Sequence, residues 1–383
     1  MASKKIFFLL RLGKGLLILF TVIAAGMLLF SYLAKIIHPT FSHAIAYCGL
    51  LFPYILLVNA VCVVLWLIID YKWALLPVIC ILINVNNIDK HFQLRAQDKP
   101  ETCANCLKVM SFNARSFNIY EPNSRTLNDS VIRFLRQESP DILCIQEYSL
   151  DKSRKTGFHS TEEILKALGI SDNNKTYRLY LPNKNFKDYQ FGMAIFSKYR
   201  IVNFGIVNTG DSSSNKSMYV DIRYNRDTLR IYNVHLSSMR LASEDYETGK
   251  AVMHNDHSDP EFDSKAKRLT YKISRAFDQR QHQAIAVRAD IDSCRFPVII
   301  CGDFNDSPAA YSVHKIGHGF KDSFRSSGKG IGSTYHGESF PAYRIDYIFH
   351  SNRYNDFGHT VCTNLQASDH YPIYTYKIGR AHV

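Results

Sequence analysis

Polar residues of the kinds that hold metal ions or phosphate follow several short apolar runs in the later part of the chain. Asn113, Glu147 and His235 each come directly after such a run. The complete set of these residues is Asn113, Glu147, His235, Asp303, Asn305, Asp346, Asp369 and His370. Because residues at the ends of neighbouring strands gather at one edge of a sheet, we expect these side chains to share one cleft.

The acids and amides in this set suit a hard divalent cation. Mg²⁺ takes oxygen ligands from a few carboxylates and keeps positions for water and a substrate phosphate. Glu147, Asp303 and Asp369 offer carboxylate oxygens, and Asn113 and Asn305 offer amide oxygens. The set therefore predicts a Mg²⁺ (or Mn²⁺) site.

The two histidines add groups that titrate near neutral pH. His235 and His370 can donate to phosphate oxygens or move protons. Taken singly, each residue of the set has an ordinary structural explanation, since Asp or Asn after a strand is usually a turn former or a helix cap. It is the combination, in this order along the chain, that indicates hydrolysis of a phosphate ester.

The elements that must position these groups are short strands. Apolar runs with β-branched residues, bounded by polar turns, predict the strands Leu107–Phe112, Ile142–Gln146, Met193–Phe196, Met218–Ile222, Leu229–Val234, Val298–Cys301, Ile345–Phe349 and Ile373–Tyr376. Helical patterns lie between some of them, at Ser130–Gln137, Thr161–Leu168 and Ala266–Ile291. This mixture predicts an α+β fold with layered sheets.

The segment Met239–Lys265 is polar and shows no period, which predicts a long loop or lid. It is also rich in Asp and Glu, and an acidic loop beside the cleft would repel a nucleic acid. The formal net charge of the whole chain is +12, which suits an anionic substrate but equally suits ordinary solubility and lysines that flank a membrane.

The first part of the chain predicts a transmembrane anchor at residues 1–88. Leu16–Leu33 and Ala44–Ile69 carry no charged residue, and roughly 20 apolar residues cross a bilayer as a helix. A third apolar segment begins at Trp73 and is short, so the anchor has two or three helices. We expect three, with the lipid bilayer as their partner.

The number of spans decides where the rest of the chain lies. Lys4, Lys5, Arg11 and Lys14 precede the first span and place the N-terminus in the cytoplasm. With three spans, residues 107–383 form an extracytoplasmic domain of an integral membrane protein; with two, they lie in the cytoplasm.

A polar linker is expected at residues 89–106, and it contains a lone CxxC motif. Cys103 and Cys106 could form a local disulfide, remain free thiols or, less readily, bind zinc, which usually needs a second such pair. The other cysteines lie in apolar runs, where a thiol packs as a small hydrophobic group.

The order of the motifs resembles the endonuclease/exonuclease/phosphatase family, which includes pancreatic-type deoxyribonucleases, apurinic endonucleases, sphingomyelinases and inositol-phosphate phosphatases. The matching segments are Met110–Asn113, Asp141–Glu147, Gly192–Lys198, Asn233–Leu236, Gly302–Pro308, Arg344–Ile348 and Ser368–Pro372. Several short matches in the family's order are specific, whereas any one alone would be weak. The resemblance implies a four-layer α/β/β/α sandwich with the active site at one edge.

The resemblance also implies a role for each residue. Glu147 is similar to the family's principal metal ligand, with Asn113 nearby and Asp369 assisting at the metal. The remaining roles belong to the reaction and to substrate binding, and they fall on His235, Asp303, Asn305, Asp346 and His370.

Within that second group, Asp303 and Asn305 resemble the pair that activates the attacking water and holds phosphate. His370 resembles the histidine that contacts the scissile phosphate, oriented by Asp346. His235 stands where the nuclease branch has a second catalytic histidine; apurinic endonucleases have a tyrosine there, so this chain departs from them.

The function that follows is metal-dependent hydrolysis of a phosphoester, most readily a phosphodiester, by activated water. The substrate is a nucleic acid in one interpretation and a phospholipid or inositol phosphate in the other, and a membrane anchor suits the second. A binding module without activity is a third interpretation, which the intact residue set disfavours. No protein partner is implied.

Overall fold

A helical bundle at the N-terminal end precedes all the strands of the described residues. The computed structural model describes residues 2–94, 106–153, 157–171, 177–210, 215–254, 256, 258–337 and 343–379. The helices of the bundle are α1 (Ala2–Leu33), α2 (His43–Leu50), α3 (Phe52–Ile69), α4 (Leu75–Ile83) and α5 (Val85–His91). Many large apolar side chains of this bundle are exposed, as expected for helices that face lipid rather than water.

Two of these helices are long and apolar enough to cross a membrane, as predicted. The candidate spans are Phe8–Leu33 and Phe52–Ile69. The apolar run predicted as Ala44–Ile69 is divided between α2 and α3. The third segment consists of Tyr71–Ile83 and Val85–His91, which are bent by 60° relative to each other and would form one further span if they cross together.

Polar contacts fix the direction of the third segment in the bundle. Lys14 in α1 forms an ion pair of 2.7 Å with Asp70, just before the third segment. Asn84, at the end of α4, donates a hydrogen bond of 3.1 Å to the carbonyl of Leu28 in α1. The third segment therefore runs parallel to α1, and both end at the same end of the bundle.

The strands in the interior of the sheets lie close to the positions that the apolar runs of the sequence predicted. They are β1 (Phe92–Gln93), β2 (Leu107–Asn113), β3 (Ile142–Asp151), β4 (Arg178–Asn185), β5 (Tyr189–Ser197), β6 (Ile201–Val207), β7 (Ser217–Tyr224), β8 (Asp227–His235), β9 (Val298–Asp303), β10 (Lys321–Asp322), β11 (Gly330–Ile331), β12 (Asp346–His350), β13 (Tyr354–Val361) and β14 (Ile373–Gly379). The sequence missed β4, β6 and β13. All three lie at sheet edges, where polar residues interrupt the apolar run.

Two six-stranded sheets form the centre of the domain. Their orders are β13-β14-β2-β3-β5-β4 and β10-β12-β9-β8-β7-β6. In each sheet one central pair is parallel, β2 with β3 and β8 with β9. The short strands β1 and β11 pair separately, which joins the end of the bundle to the glycine-rich segment before Thr334.

Helices cover the outer face of each sheet. They are α6 (Ser124–Glu138), α7 (Ser160–Ala167), α8 (Ser243–His254), α9 (Phe262–Ser293), α10 (Tyr311–Gly317) and α11 (Ser323–Ser327). One apolar core lies between the sheets. A second joins the first sheet to α6 and α7, and a third joins the second sheet to α9 and α10. The layer order confirms the predicted α+β fold, a four-layer α/β/β/α sandwich.

The segment Met239–Lys265 is not the long loop that the sequence predicted, because α8 occupies much of it and α9 begins before its end. Ion pairs support α8: Glu244 lies 2.6 Å from Arg268, and Asp245 lies 2.5 Å from Lys272. A helix held by charges shows little apolar period, so the pattern could not reveal it. These pairs neutralise Glu244 and Asp245, two of the acids in the segment; the expected repulsion of a nucleic acid stays a prediction.

The domain rests on the end of the bundle where α1 ends. Ser307 Oγ donates a hydrogen bond of 3.0 Å to the carbonyl of Gly49 in α2. Ala309 is fully buried within the apolar cluster of the bundle. His43 lies 2.9 Å from Asp278 in α9. The bundle and the domain are therefore packed together, and the loop after β9 is part of their contact.

Candidate active site

The predicted site residues lie close together because the strands that carry them meet at one edge of the sheets. Asn113, His235 and Asp303 are the last residues of β2, β8 and β9. His235 pairs with Asp303 across the parallel strands β8 and β9. Asp346 begins β12, which runs antiparallel to β9, and it also pairs with Asp303. The start of an antiparallel strand meets the ends of parallel strands at one edge, so these residues lie together.

Asp303 is the centre of the site and is 1% exposed. Its Oδ2 accepts hydrogen bonds from Asn113 Nδ2 at 3.0 Å and Asn305 Nδ2 at 3.1 Å. The same oxygen lies 3.7 Å from His235 Nε2 and 3.8 Å from His370 Nε2. Burial raises the pKa of Asp303 to about 6, although His370 acts to lower it. A carboxylate with this pKa can take up a proton near neutral pH.

His370 forms a buried pair with Asp346. Its Nδ1 lies 2.9 Å from Asp346 Oδ2, which leaves Nε2 on the side of Asp303. Burial acts to lower the pKa of His370, but Asp346 and Asp303 outweigh it and raise the pKa to about 10. The ring therefore carries protons on both nitrogens at neutral pH. Ser368 supports this loop, accepting from the His370 amide at 3.2 Å and donating to the Asn113 carbonyl at 2.7 Å.

Glu147 lies inside β3 rather than after it, which corrects the predicted end of that strand. The register of β3 shifts between Ile145 and Tyr148, and Glu147 has a φ of 47°. Such a bulge re-aims one side chain while the strand continues. Glu147 Oε1 lies 3.4 Å from Asn113 Nδ2 and 3.9 Å from His235 Nε2. Burial raises the pKa of Glu147.

His235 is held by a residue that the sequence did not single out. Asn215 Nδ2 lies 3.1 Å from His235 Nε2 and donates a hydrogen bond of 2.7 Å to the carbonyl of Leu236. Burial lowers the pKa of His235, so the ring is neutral at neutral pH. Asn215 precedes β7 and follows no recognisable motif, so only the folded structure identifies it.

Asn305 and Asp369 occupy different parts of the site. Asn305 has a φ of 51° and donates from Nδ2 to the carbonyl of Leu236 at 3.0 Å, so it lies beside Asp303. Asp369 accepts from Ser368 Oγ at 3.3 Å. Its Oδ2 lies 4.0 Å from Arg115 Nε, which places it towards the outer side of the cleft.

An unusual left-handed turn follows Asn113 and carries Arg115 to the cleft. The four residues Arg115–Asn118 all have positive φ, between 44° and 56°, and each such residue costs roughly 1–2 kcal/mol. Asn113 Oδ1 accepts from the Arg115 amide at 3.1 Å, and the Ser116 carbonyl accepts from Ser149 Oγ at 2.7 Å. Contacts with other strands stabilise this turn, so its sequence alone does not predict it.

A cleft of about 840 Å³ adjoins the site, and Asp369 is the member of the predicted set that lines it. Its lining includes Arg115, Leu127, Tyr246, Tyr335 and Asp369. Tyr335 packs edge-on against His370 at 5.1 Å between ring centroids, and its hydroxyl lies 3.3 Å from that of Tyr246 in α8. The segment predicted as a lid therefore borders the cleft as a helix.

Two buried polar networks support the site from behind. Gln146 in the first sheet donates to Asn233 Oδ1 in the second sheet at 2.6 Å. Arg280 of α9 is fully buried, and its Nε lies 3.0 Å from Asp306 Oδ2. Arg280 also donates to the carbonyl of Ser237 at 3.1 Å. The first network joins the two sheets, and the second fixes the loop after Asp303.

The donor set fits a hard divalent cation. Asp303, Asp346 and His370 are buried, and their possible ligand atoms lie within 4.8 Å of one another. His370 has no free lone pair while it is protonated on both nitrogens, so the carboxylates and the amide of Asn113 are the candidate ligands. In the described residues, neither Glu147 nor Asp303 forms an ion pair with a Lys or Arg, which leaves their oxygens available to a cation. Asn113 gives its amide nitrogen to both carboxylates and its oxygen to the Arg115 amide. Its oxygen would face a metal only after a flip of the amide.

Comparison with known proteins identifies the family. Residues 110–370 match the model of the Endonuclease/Exonuclease/phosphatase family, and residues 14–91 match the model of a domain of unknown function. No curated protein matches the sequence. The chain belongs to the endonuclease/exonuclease/phosphatase family, and the residues quoted above confirm the resemblance. Members of this family are phosphoester hydrolases, so the chain is a hydrolase that acts on ester bonds.

Solved structures share this fold at low identity. An endonuclease/exonuclease/phosphatase family protein from Leptotrichia buccalis has 16% identity and a TM-score of 0.51, with 70% of this chain and 98% of that chain covered. An endonuclease/exonuclease/phosphatase from Bacteroides vulgatus has 15% identity and a TM-score of 0.50, with 72% and 99% covered. At such identity the likeness concerns the fold alone.

Proposed function

We propose that this chain is a membrane-anchored, metal-dependent phosphodiesterase that uses an activated water molecule. The observation that carries the proposal is the position of Asp303, a buried carboxylate between two histidines, one of which is paired with Asp346. His235 lies 3.7 Å and His370 3.8 Å from its Oδ2. One site thus holds a proton acceptor and a proton donor next to each other, as acid–base catalysis requires.

The proposal assigns a separate role to each residue of the site. Asp303 Oδ2 takes the proton of the attacking water as the water oxygen bonds to phosphorus and the P–O bond to the leaving group breaks. The proton then passes from Asp303 to the leaving oxygen, and Asn305 helps to hold the phosphate. The Nε2–H of His370, kept protonated by Asp346, donates to a phosphoryl oxygen as negative charge develops there. His235 is a further group that we place at the same phosphate, which its Nε2 can contact only in a form that carries a proton on that nitrogen. No covalent intermediate with the chain is needed.

A divalent cation, Mg²⁺ or Mn²⁺, would be held by Glu147 and Asp369, with Asn113 as a further ligand after a flip of its amide. When bound, it supplies Lewis acidity and neutralises charge on the phosphoryl oxygens. The position of Glu147 supports this assignment: its side chain is 41% exposed, and its Oε1 lies 3.4 Å from Asn113 Nδ2, so a cation can reach both residues from the solvent side.

The orientation proposed for the domain is extracytoplasmic. The ion pair of Lys14 with Asp70 lies at the end of the bundle opposite the domain, and Lys72 follows there as well. Positive charge at that end favours the cytoplasmic side. Cys106 forms a disulfide, a bond that persists mainly in oxidising compartments; Cys103 of the CxxC motif lies outside the described residues.

A phosphoester carried by a lipid or an inositol is the substrate class that the packing favours. Ser307, which is hydrogen-bonded to the bundle, follows the catalytic Asn305 by two residues, so about 7 Å of chain separates the site from the anchor. A centre held this close to the bilayer suits a substrate that resides there. Nucleic acid is the competing class.

A panel of substrates tests the proposal with the full-length chain in detergent. It contains plasmid DNA, RNA, sphingomyelin, phosphoinositides and a bis-aryl phosphate, each with Mg²⁺, Mn²⁺ or a chelator. We expect cleavage of the lipid or inositol substrates and of the bis-aryl ester, and its loss on chelation.

Matched variants complete this experiment. Glu147→Gln should abolish cleavage, whereas Glu247→Gln, an exposed change on α8, should leave it intact. Equal activity of wild type and Glu147→Gln would refute the assignment of the site. Cleavage of DNA or RNA alone would overturn the substrate class while leaving phosphodiester hydrolysis in place.

A further inference from the structure

A second cavity lies where the third segment of the bundle meets the domain. Its volume is about 520 Å³. Asn86, Asp89 and Lys90 line it from α5, and His314, Lys321 and Arg325 line it from the domain. None of its lining residues borders the active-site cleft. The cavity is therefore a separate feature of the molecule.

The cavity lies at the expected level of the lipid headgroups. Exposed apolar side chains of the third segment, Leu82, Ile83 and Val85, end one residue before its first lining residue. Lys35 follows the end of the first crossing segment, at Leu33, by two residues. Both helices thus change from apolar to basic at this level, as segments do where they leave the hydrocarbon.

The positive charge around the cavity exceeds what the carboxylates there can balance. Both acids at the cavity form ion pairs with an arginine: Arg325 lies 2.7 Å from Asp89, and Arg344 lies 2.5 Å from Asp322. Among the residues that the structure describes, neither Lys35 nor Lys90 contacts a carboxylate. Lys90 Nζ donates only to the Pro308 carbonyl, at 3.3 Å.

Lys35 is the most telling of these cations, because it is 6% exposed. A lysine at the headgroup level usually extends its ammonium into the lipid phosphates. This one is enclosed by protein, and its Nζ lies 3.7 Å from the ring centroid of Tyr32. Burial and the nearby Arg325 lower its pKa. A buried, unpaired ammonium is costly unless an anion joins it.

His314 shows that these cations face one space. Burial, followed by the positive charges of Lys90, His318 and Lys35, lowers its pKa to about 4. Several groups from α5, the segment after α1 and the domain thus repel one another around one cavity. Repulsion of this kind is relieved by an anion that binds between them.

We propose that this cavity binds the phosphate headgroup of an anionic phospholipid of the host membrane, with Lys90 as its principal contact. Lys35 does not line the cavity, but its positive charge acts on Lys90 and His314, which do. The lipid's acyl chains would lie along the exposed apolar side chains of the third segment. Bound there, the lipid would join α5 to the domain. This site depends on the membrane insertion proposed above, but not on the identity of the substrate that is hydrolysed.

Retention of lipid by the full-length protein tests the proposal. The chain is reconstituted in vesicles of phosphatidylcholine with or without phosphatidylglycerol, extracted in detergent, and its bound lipid is counted by mass spectrometry. We expect wild type to retain phosphatidylglycerol selectively. Lys90→Gln should weaken retention by about tenfold, the effect of losing one charge-assisted contact, and Lys35→Gln should weaken it as well.

Control variants separate charge from folding. Lys72→Gln, at the opposite end of the bundle, should retain lipid as wild type does. The double variant with Arg at positions 35 and 90 should restore retention even if the glutamine variants fold poorly. Equal retention by wild type and the double glutamine variant would overturn the proposal.

Two further measurements distinguish a lipid headgroup from a soluble phosphate and test membrane insertion separately from lipid binding. If inorganic phosphate raises the melting temperature of lipid-free protein while phosphatidylglycerol is not selected over phosphatidylcholine, the ligand is a soluble anion and the lipid assignment is overturned. Extraction of the reconstituted vesicles with alkaline carbonate tests insertion separately, because release of the chain would refute the anchor itself. Hydrolysis of the bis-aryl ester in detergent reports on the active site independently.

Discussion

Replacement of Arg280 by Met should destabilise the protein and impair the active site together. The Arg280 side chain is fully buried, with Nε 3.0 Å from Asp306 Oδ2. Its removal leaves a buried carboxylate whose remaining side-chain donor is Ser312, at 2.6 Å. Loss of one partner of a buried ion pair lowers the free energy of unfolding by about 3–5 kcal/mol. For a domain of this size that corresponds to a fall in melting temperature of roughly 6–20 °C.

Activity should fall with stability, because Asp306 directly follows Asn305. A shift of about 1 Å in a positioning loop can lower the rate about 10²-fold. Thermal unfolding of the full-length chain in detergent measures the first effect, and the kcat for the bis-aryl phosphate, at a temperature where the variant is folded, measures the second.

Two comparisons make the Arg280 prediction specific. Arg275→Met changes an exposed residue of the same helix and should alter the free energy of unfolding by less than about 0.5 kcal/mol. Adding Asp306→Asn to Arg280→Met removes the uncompensated charge, so the double variant should be more stable than Arg280→Met alone. The reasoning is refuted if Arg280→Met has the melting temperature of wild type, or if the double variant has a lower melting temperature than Arg280→Met.

Three other variants probe the site and its supports. Asp346→Asn should lower kcat by about 10²–10⁴-fold without changing the fold, because His370 loses the carboxylate that keeps it protonated; unchanged kcat would contradict this. Gln146→Leu should lower the free energy of unfolding by about 1–3 kcal/mol, because Asn233 Oδ1 loses its donor. Denaturant titration measures this free energy, and an unchanged value would contradict the prediction. Burial lowers the pKa of Lys377 to about 7, so its unfolded form binds more protons above pH 7. Stability relative to Lys377→Met should therefore rise with pH between 7 and 9, by at most about 1.4 kcal/mol per unit, and a flat difference would refute it.

The sequence determined the interior of the fold because buried strands must be apolar without interruption. The strand β9 is of this kind, whereas β8 contains Arg230 and Asn233. Their final residues, His235 and Asp303, were identified from their position after a strand together with the order of the other motifs. The long spans of the anchor are equally plain, since a bilayer demands long uncharged runs. Edge strands and α8 were missed because they are stabilised by polar contacts that leave no period in the sequence.

Only the tertiary structure decided how the site residues meet and what supports them. The bulge that turns Glu147 towards Asn113, and the pairing of Asn215 with His235, both depend on residues distant in sequence. The opposite protonation of His235 and His370 is decided in the same way, because burial and neighbouring charges set it rather than residue type. The packing of the anchor against the loop after Asp303 belongs here too: apolar runs predict that a chain enters a membrane, but not which surface of the domain the bundle holds.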